Sequence, residues 1–165
     1  MFEIDNLEKV PNREGHMCFG CGSANTAGLK MKFSSDGEAV YARLKIPTHL
    51  CGWDRLAHGG VIATILDEAM GWAGVRLLRR YVMTKSMTVD FLKSVYVGDT
   101  IEVKGEVLER INDKNATLQS LIYNHKNQLC AQSTGSYALL NFKLAKRLKL
   151  MSETTEKYFK PLIDE

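Results

Sequence analysis

Two acids stand in the middle of an otherwise apolar stretch. Between Gly59 and Val75 the only charged side chains are Asp67 and Glu68. Burying an unpaired carboxylate costs several kcal/mol, the scale of a domain's whole stability margin. Such an acid is paired with a neighbouring arginine, opens to solvent at a gap in the sheet, or serves chemistry. His58-Gly59-Gly60 stands just ahead, where a helix would begin. First-turn N–H groups lack helical acceptors, and the helix dipole adds partial positive charge there. Glycine lets a substrate carbonyl approach that backbone closely, so the turn could hold an oxyanion formed when water attacks. Gly60 and Asp67 are two turns apart and share a face, whereas Glu68 is rotated by about 100°. Asp67 is the better-placed acid.

The thiols offer other chemistries. Cys18-Phe19-Gly20-Cys21 has zinc-knuckle spacing, with His16, His49 and Cys51 as further donors, but a single Cys-x-x-Cys without a second pair is weak evidence. A structural glycine turn is the preferred reading, and no metal site is assigned. Cys51 with His49 or His58 would make a nucleophile–base pair, yet no third orienting group is evident. His125 lies in a polar connection, and Cys130 reads as a small core residue. The four cysteines, unevenly placed, do not form the pattern of a secreted disulfide scaffold.

These residues need a scaffold. Val61, Ile62, Ile65, Leu66, Ala69, Met70, Trp72, Ala73 and Val75 surround almost the whole helical wheel, which predicts a buried helix over residues 59–75. Gly71 and Gly74 suggest close approach of another backbone. Val40, Ala42, Leu44 and Ile46 alternate with Tyr41, Arg43 and Lys45, the period of a half-buried strand. Strands are also expected over Tyr81–Val95, Thr100–Leu108, Ala116–Tyr123 and Leu129–Leu140, with turns at Val97-Gly98-Asp99 and Asn124–Gln128. Short turns imply antiparallel neighbours, so the strands read as a meander around one helix, an α+β architecture. Residues 1–15 read as an arm or short helix, residues 20–28 as a turn-rich loop, and the C-terminus as helical, with Ser152 and Glu153 as caps.

Composition narrows the class. At 165 residues with 45% hydrophobic and 25% charged side chains, the chain suits one soluble globular domain. No apolar run is long enough for a transmembrane helix, and the first residues lack the order of a signal peptide, so a cytoplasmic location is expected. A net charge of +3 is too small to argue for nucleic acid but suits a ligand bearing phosphates. The run Lys143, Lys146, Arg147 and Lys149 reads as a solvated helix face.

The segment Leu56–Gly71, with His-Gly-Gly and an aspartate nine positions after the histidine, resembles the signature of hotdog-fold thioesterases, and most closely the PaaI-like, phenylacetate-degradation branch. Val82-Met83-Thr84, Phe91–Asp99 and Cys18-Phe19-Gly20-Cys21-Gly22 with Gly28-Leu29 resemble that branch too, so the likeness spans roughly residues 17–142. It implies an antiparallel β-sheet wrapped around one long central α-helix over residues 28–142, with an N-terminal arm and Gly/Cys-rich loop over 1–27 and a helical segment over 143–165. It also implies an acyl-CoA thioesterase acting on a medium-chain or aryl acyl group, without a cofactor, as a homodimer or a dimer of dimers. Asp67 would be the general base, or the nucleophile of an anhydride variant. The Gly59 and Gly60 amides of the facing subunit would hold the thioester oxygen, His58 would orient their turn, and Thr84 would position water. Thr84 is expected to share a strand face with Ser86, Thr88 and Asp90. Cys51, Trp53, Met83 and Lys93 would contact substrate, Lys93 at the coenzyme A phosphates, and Met70 and Met87 are further lining candidates. Cys51-Gly52-Trp53 departs from the Gln-Gly-Trp of bacterial relatives, some of which polarise the carbonyl with that glutamine. A thiol is a weak donor, so a non-catalytic acyl-CoA binder or sensor is the alternative.

Overall fold

A computed structural model describes residues 2–150 and 152–163. Alternation at residues 40–46 becomes strand β3 (Ala39–Lys45), with Val40, Ala42 and Leu44 buried and Arg43 and Lys45 exposed. Tyr41, on the outward side, is buried as well. Phe2 covers its ring at a centroid distance of 4.9 Å, and its hydroxyl donates to Asp36.

The apolar run folds as helix α1 (Gly59–Leu78), capped by His58 and ended by Arg79 in the left-handed region at φ 52°. Its twenty residues span about 30 Å. Ile65, Leu66, Ala69, Met70 and Ala73 expose no surface, as a helix apolar on nearly all sides requires.

The remaining strands are β1 (Glu8–Lys9), β2 (Ser34–Ser35), β4 (Cys51–Trp53), β5 (Leu56–Ala57), β6 (Tyr81–Phe91), β7 (Thr100–Asn112), β8 (Asn115–Asn124) and β9 (Leu129–Leu140). Seven form one antiparallel sheet in the order β1-β2-β3-β7-β8-β9-β6, curled around α1, while β4 and β5 pair separately. The expected helix-wrapped sheet is present, but it is not a simple meander. Strand β6 stops at Phe91 rather than Val95, because the Leu92 and Lys93 amides both turn onto the Cys130 carbonyl. Residues 92–99 then carry the chain across the sheet, so that β6 pairs with β9 and not with β7. Eight extended residues reach about 26 Å, ample for three strand spacings of about 14 Å.

Close packing on the helix comes from the sheet's glycines more than from its own. A Cβ on Gly105 would lie 2.4 Å from the Ala69 carbonyl oxygen, so β7 touches the helix backbone there. Gly71 has nothing within 4 Å, and Gly74 meets the Val82 side chain rather than a backbone. Ser120 on β8 donates to the Leu66 carbonyl at 2.9 Å, tying helix to sheet just ahead of Asp67.

The N-terminal arm is a 3-10 turn at Ile4–Asn6 followed by β1, which extends the sheet. After β9 come α2 (Phe142–Arg147) and α3 (Glu153–Phe159); Ser152 caps α3, accepting from the Thr155 amide. Phe159 returns the C-terminal segment to the helix at Trp72. Among the described residues no helix is long and apolar enough to cross a membrane.

Candidate functional site

Asp67 lies midway along α1, where the helix faces β6 and β9. Its Oδ1 accepts from the Thr84 hydroxyl at 2.7 Å and from the Tyr137 hydroxyl at 2.8 Å. Its Oδ2 has no partner among the described residues. Thr84 and Tyr137 are directly paired across the strands, so one register position of the sheet supplies both donors. Tyr137 is buried, and that burial, reinforced by the neighbouring Asp67 charge, raises its pKa well above the ordinary phenol range. The tyrosine therefore keeps its proton and donates it. Nothing in the linear pattern near Asp67 pointed to Tyr137; only the β6–β9 pairing identifies it.

A bulge sets the aim of Thr84. Thr84 pairs with Tyr137 and Ser86 with Ser136, leaving Lys85 as an extra residue in β6. An extra residue reverses strand alternation. Val82 and Thr84 face the helix before the bulge, and Met87 and Val89 pack against the core beyond it. Thr84 therefore does not share a face with Ser86, Thr88 and Asp90, as unbroken alternation had suggested. Asp90 accepts from Gln132 instead.

At the helix start, His58 Nδ1 accepts from the Gly60 amide at 2.9 Å. That bond fixes the imidazole tautomer with its proton on Nε2. The Gly60 N–H is thereby occupied, while the Gly59 N–H has no partner among the described residues. Gly59 lines a cavity of about 350 Å³ with Ile62, Phe91, Leu92 and Lys93, separate from the one that Asp67 lines. Cys51 is exposed on β4 opposite Ala57, and Trp53 is 81% exposed. Met83 is 47% exposed on β6, one of the sheet's two edge strands. Met70 is core, and Met87 packs against the core from β6.

Glu68 turns the other way. Its carboxylate meets the Trp72 indole N–H at 3.1 Å and the Cys18 thiol at 3.7 and 3.8 Å. Burial pushes its pKa up to about 7. Interaction between the two neighbouring sulfurs draws Cys18 down to about 5 and holds Cys21 well above its ordinary value. The Gly20 and Cys21 amides also point at the Cys18 sulfur. A cavity of about 330 Å³ is walled by Asp67, Thr84 and Tyr137 on one side and by Glu68, Cys18 and Cys21 on the other.

Residues 55–131 match the family described as the thioesterase superfamily. The resemblance to hotdog-fold thioesterases holds. Among solved structures, the chain superposes on the Escherichia coli PaaI protein of the phenylacetic acid degradation operon with a TM-score of 0.62 at 17% identity, covering 68% of this chain and 81% of that one. A hypothetical thioesterase from Streptococcus pneumoniae, solved with coenzyme A, gives 0.58 at 20% identity, covering 62% and 81%. That protein was also solved with an aspartate and with a threonine replaced by alanine. A Streptococcus mutans protein bound to acetyl CoA gives 0.58 at 17% identity, covering 84% and 92%. These likenesses show a shared fold. No curated protein sequence matches the chain.

Proposed function

We propose that the protein hydrolyses an acyl-CoA thioester, with Asp67 directing the attacking water. The observation that carries this reading is the Asp67 carboxylate, held at Oδ1 by two hydroxyls and open at Oδ2, in a segment matching thioesterases. A water bound at Oδ2 gives up a proton to Asp67 as its oxygen adds to the thioester carbon. Collapse of the tetrahedral species expels the coenzyme A thiolate, which takes up a proton, and the carboxylic acid leaves. Thr84 and Tyr137 keep the carboxylate from rotating, so Oδ2 stays aimed at the water. The residue types replaced in the pneumococcal protein, one aspartate and one threonine, are the types that meet here at Asp67 and Thr84.

Within one chain, Gly59 lies two helical turns from Asp67 and lines a different cavity. A second copy of the chain supplies the missing amide: the Gly59 N–H of the facing subunit would hold the developing oxyanion, with His58 orienting the turn through Gly60. Exposed apolar side chains at Met83, Phe91 and Leu92 on or beside edge strand β6 suit such a homodimer. Lys93, on the wall of the Gly59 cavity, would meet coenzyme A phosphates. Trp53 and Cys51, exposed on β4, would flank a medium-chain or aryl acyl group.

One observation favours the second reading, a non-catalytic acyl-CoA binder. Gly60 spends its amide on His58, and the exposed Cys51 thiol stands where some relatives carry glutamine, leaving few donors for an oxyanion. Release of coenzyme A, followed with a thiol-trapping reagent over a panel of aryl and medium-chain acyl-CoAs, decides between the two. Turnover of at least one class is expected; binding of acyl-CoA without hydrolysis across the panel would leave the binder.

A further inference from the structure

The Cys18–Cys21 loop is bound to the central helix by more than a turn. Cys18 Sγ, Cys21 Sγ and a Glu68 carboxylate oxygen lie within 4.8 Å of one another. The Cys-x-x-Cys spacing alone is weak evidence; Glu68, fifty residues away on α1, adds the third donor. The loop is shaped for this convergence. The Gly22 amide donates to the Cys18 carbonyl at 2.9 Å, folding the two cysteines toward each other. A Cβ on Gly20 would lie 2.3 Å from Glu68 Oε2, so glycine is what admits the carboxylate to the loop.

Two features of the cluster lack an explanation in the protein alone. Glu68 is surrounded by thiols and an indole, with no lysine or arginine among its partners in the described residues. His16, 8% exposed and lining the same cavity, has a buried Nε2 without a hydrogen-bond partner. An unsatisfied buried polar atom costs about 1–3 kcal/mol. A divalent cation held between the two sulfurs and the carboxylate supplies the positive charge that the cluster lacks. Two thiolates and a carboxylate oxygen form a set suited to zinc, with a fourth position left open.

We propose that Cys18, Cys21 and Glu68 bind a zinc ion, whose fourth position faces the cavity that His16 lines. The ion pins the N-terminal loop to α1 one residue from Asp67, and so fixes the wall of the cavity opposite Thr84 and Tyr137. Binding releases the two thiol protons, and two thiolates with one carboxylate then set three negative charges against the ion's two, leaving the site with one net negative charge. The inference does not depend on thioester hydrolysis.

The full chain, purified under reducing conditions, is stripped with a chelator and titrated with cobalt(II), whose spectrum reports its ligands. One cobalt per chain is expected, with intense thiolate-to-cobalt charge-transfer absorption and displacement by zinc. Cys18→Ser and Glu68→Gln should each weaken binding by at least about 10-fold, the lower range for losing even an outer-shell partner. Glu68→Gln nearly preserves size and, with circular dichroism, separates a lost ligand from a lost fold. Failure to bind cobalt, binding without thiolate absorption, or unchanged affinity in both folded variants would overturn the proposal.

Discussion

Asp67 and Glu68 are adjacent in the chain, yet their carboxylates belong to two unlike environments. Asp67 meets the sheet, where Thr84 and Tyr137 offer oxygen-bound protons. Glu68 meets the N-terminal loop, where Cys18 and Cys21 offer sulfur. One residue on a helix is a rotation of about 100°, enough to put two acids on different walls of one cavity. The two hydroxyl donors hold one carboxylate oxygen and leave the second for water. Thiols add further anionic character when they ionise, a surrounding that calls for a cation. The partner set, more than the carboxyl group itself, divides reaction from structure here.

The largest expected effect tests that division directly. Asp67→Asn keeps the size of the side chain and removes its basicity, and should lower kcat by about 100- to 10,000-fold, the range for a general base. Glu68→Gln, assayed alongside, should lower turnover far less while lowering metal content. Steady-state thiol release and metal analysis on the same two preparations provide the check. If Glu68→Gln is the more damaging to turnover at full metal occupancy, the two roles are reversed.

How much of this was legible beforehand depended on distance along the chain. The buried helix, the strand at residues 39–45 and the ninth strand follow from local period, because each pattern repeats within a few residues. The preference for Asp67 over Glu68 came from helix geometry, which is also local. The partners of Asp67 were harder: Thr84 was singled out through the family resemblance, and Tyr137 was missed. Seeing Tyr137 requires the β6–β9 pairing, which the 92–99 crossover creates and which short-turn reasoning replaces with a meander. The bulge at Lys85 is equally hidden, since a strand's alternation gives no sign of an added residue until its partner's register is known. Likewise, Cys18 and Glu68 are fifty residues apart, so their meeting is a property of the fold alone.

A smaller effect is expected on the sheet side. Tyr137→Phe removes one of two hydrogen bonds to Asp67 Oδ1 and changes no apolar packing, since the ring stays in place. Hydrogen bonds to charged groups contribute about 1.5–3 kcal/mol, which corresponds to roughly a 10- to 100-fold loss if the bond is made fully in the transition state. The loss should fall on kcat more than on KM, because the hydroxyl orients the base without touching the acyl chain. A rise in KM at constant kcat would instead make Tyr137 part of the substrate pocket. Metal content should not change, since Tyr137 lies on the wall opposite the thiols.

On the loop side, Gly20→Ala gives the mildest and most selective perturbation. The added methyl would sit 2.3 Å from Glu68 Oε2, closer than any real contact, so something must yield. The carboxylate, at the end of a flexible side chain, gives way more easily than the backbone around it. Moving it from the thiols should weaken metal binding while costing about 1–3 kcal/mol of stability, the usual penalty for overpacking. Thr84, Tyr137 and Asp67 are untouched by the methyl, so the chemical step should fall less than in Tyr137→Phe. Urea unfolding, cobalt affinity and thiol release on one preparation read all three quantities. Equal losses of cobalt affinity and turnover would mean that the loop and the sheet act as one unit, and that the two acids are not independent.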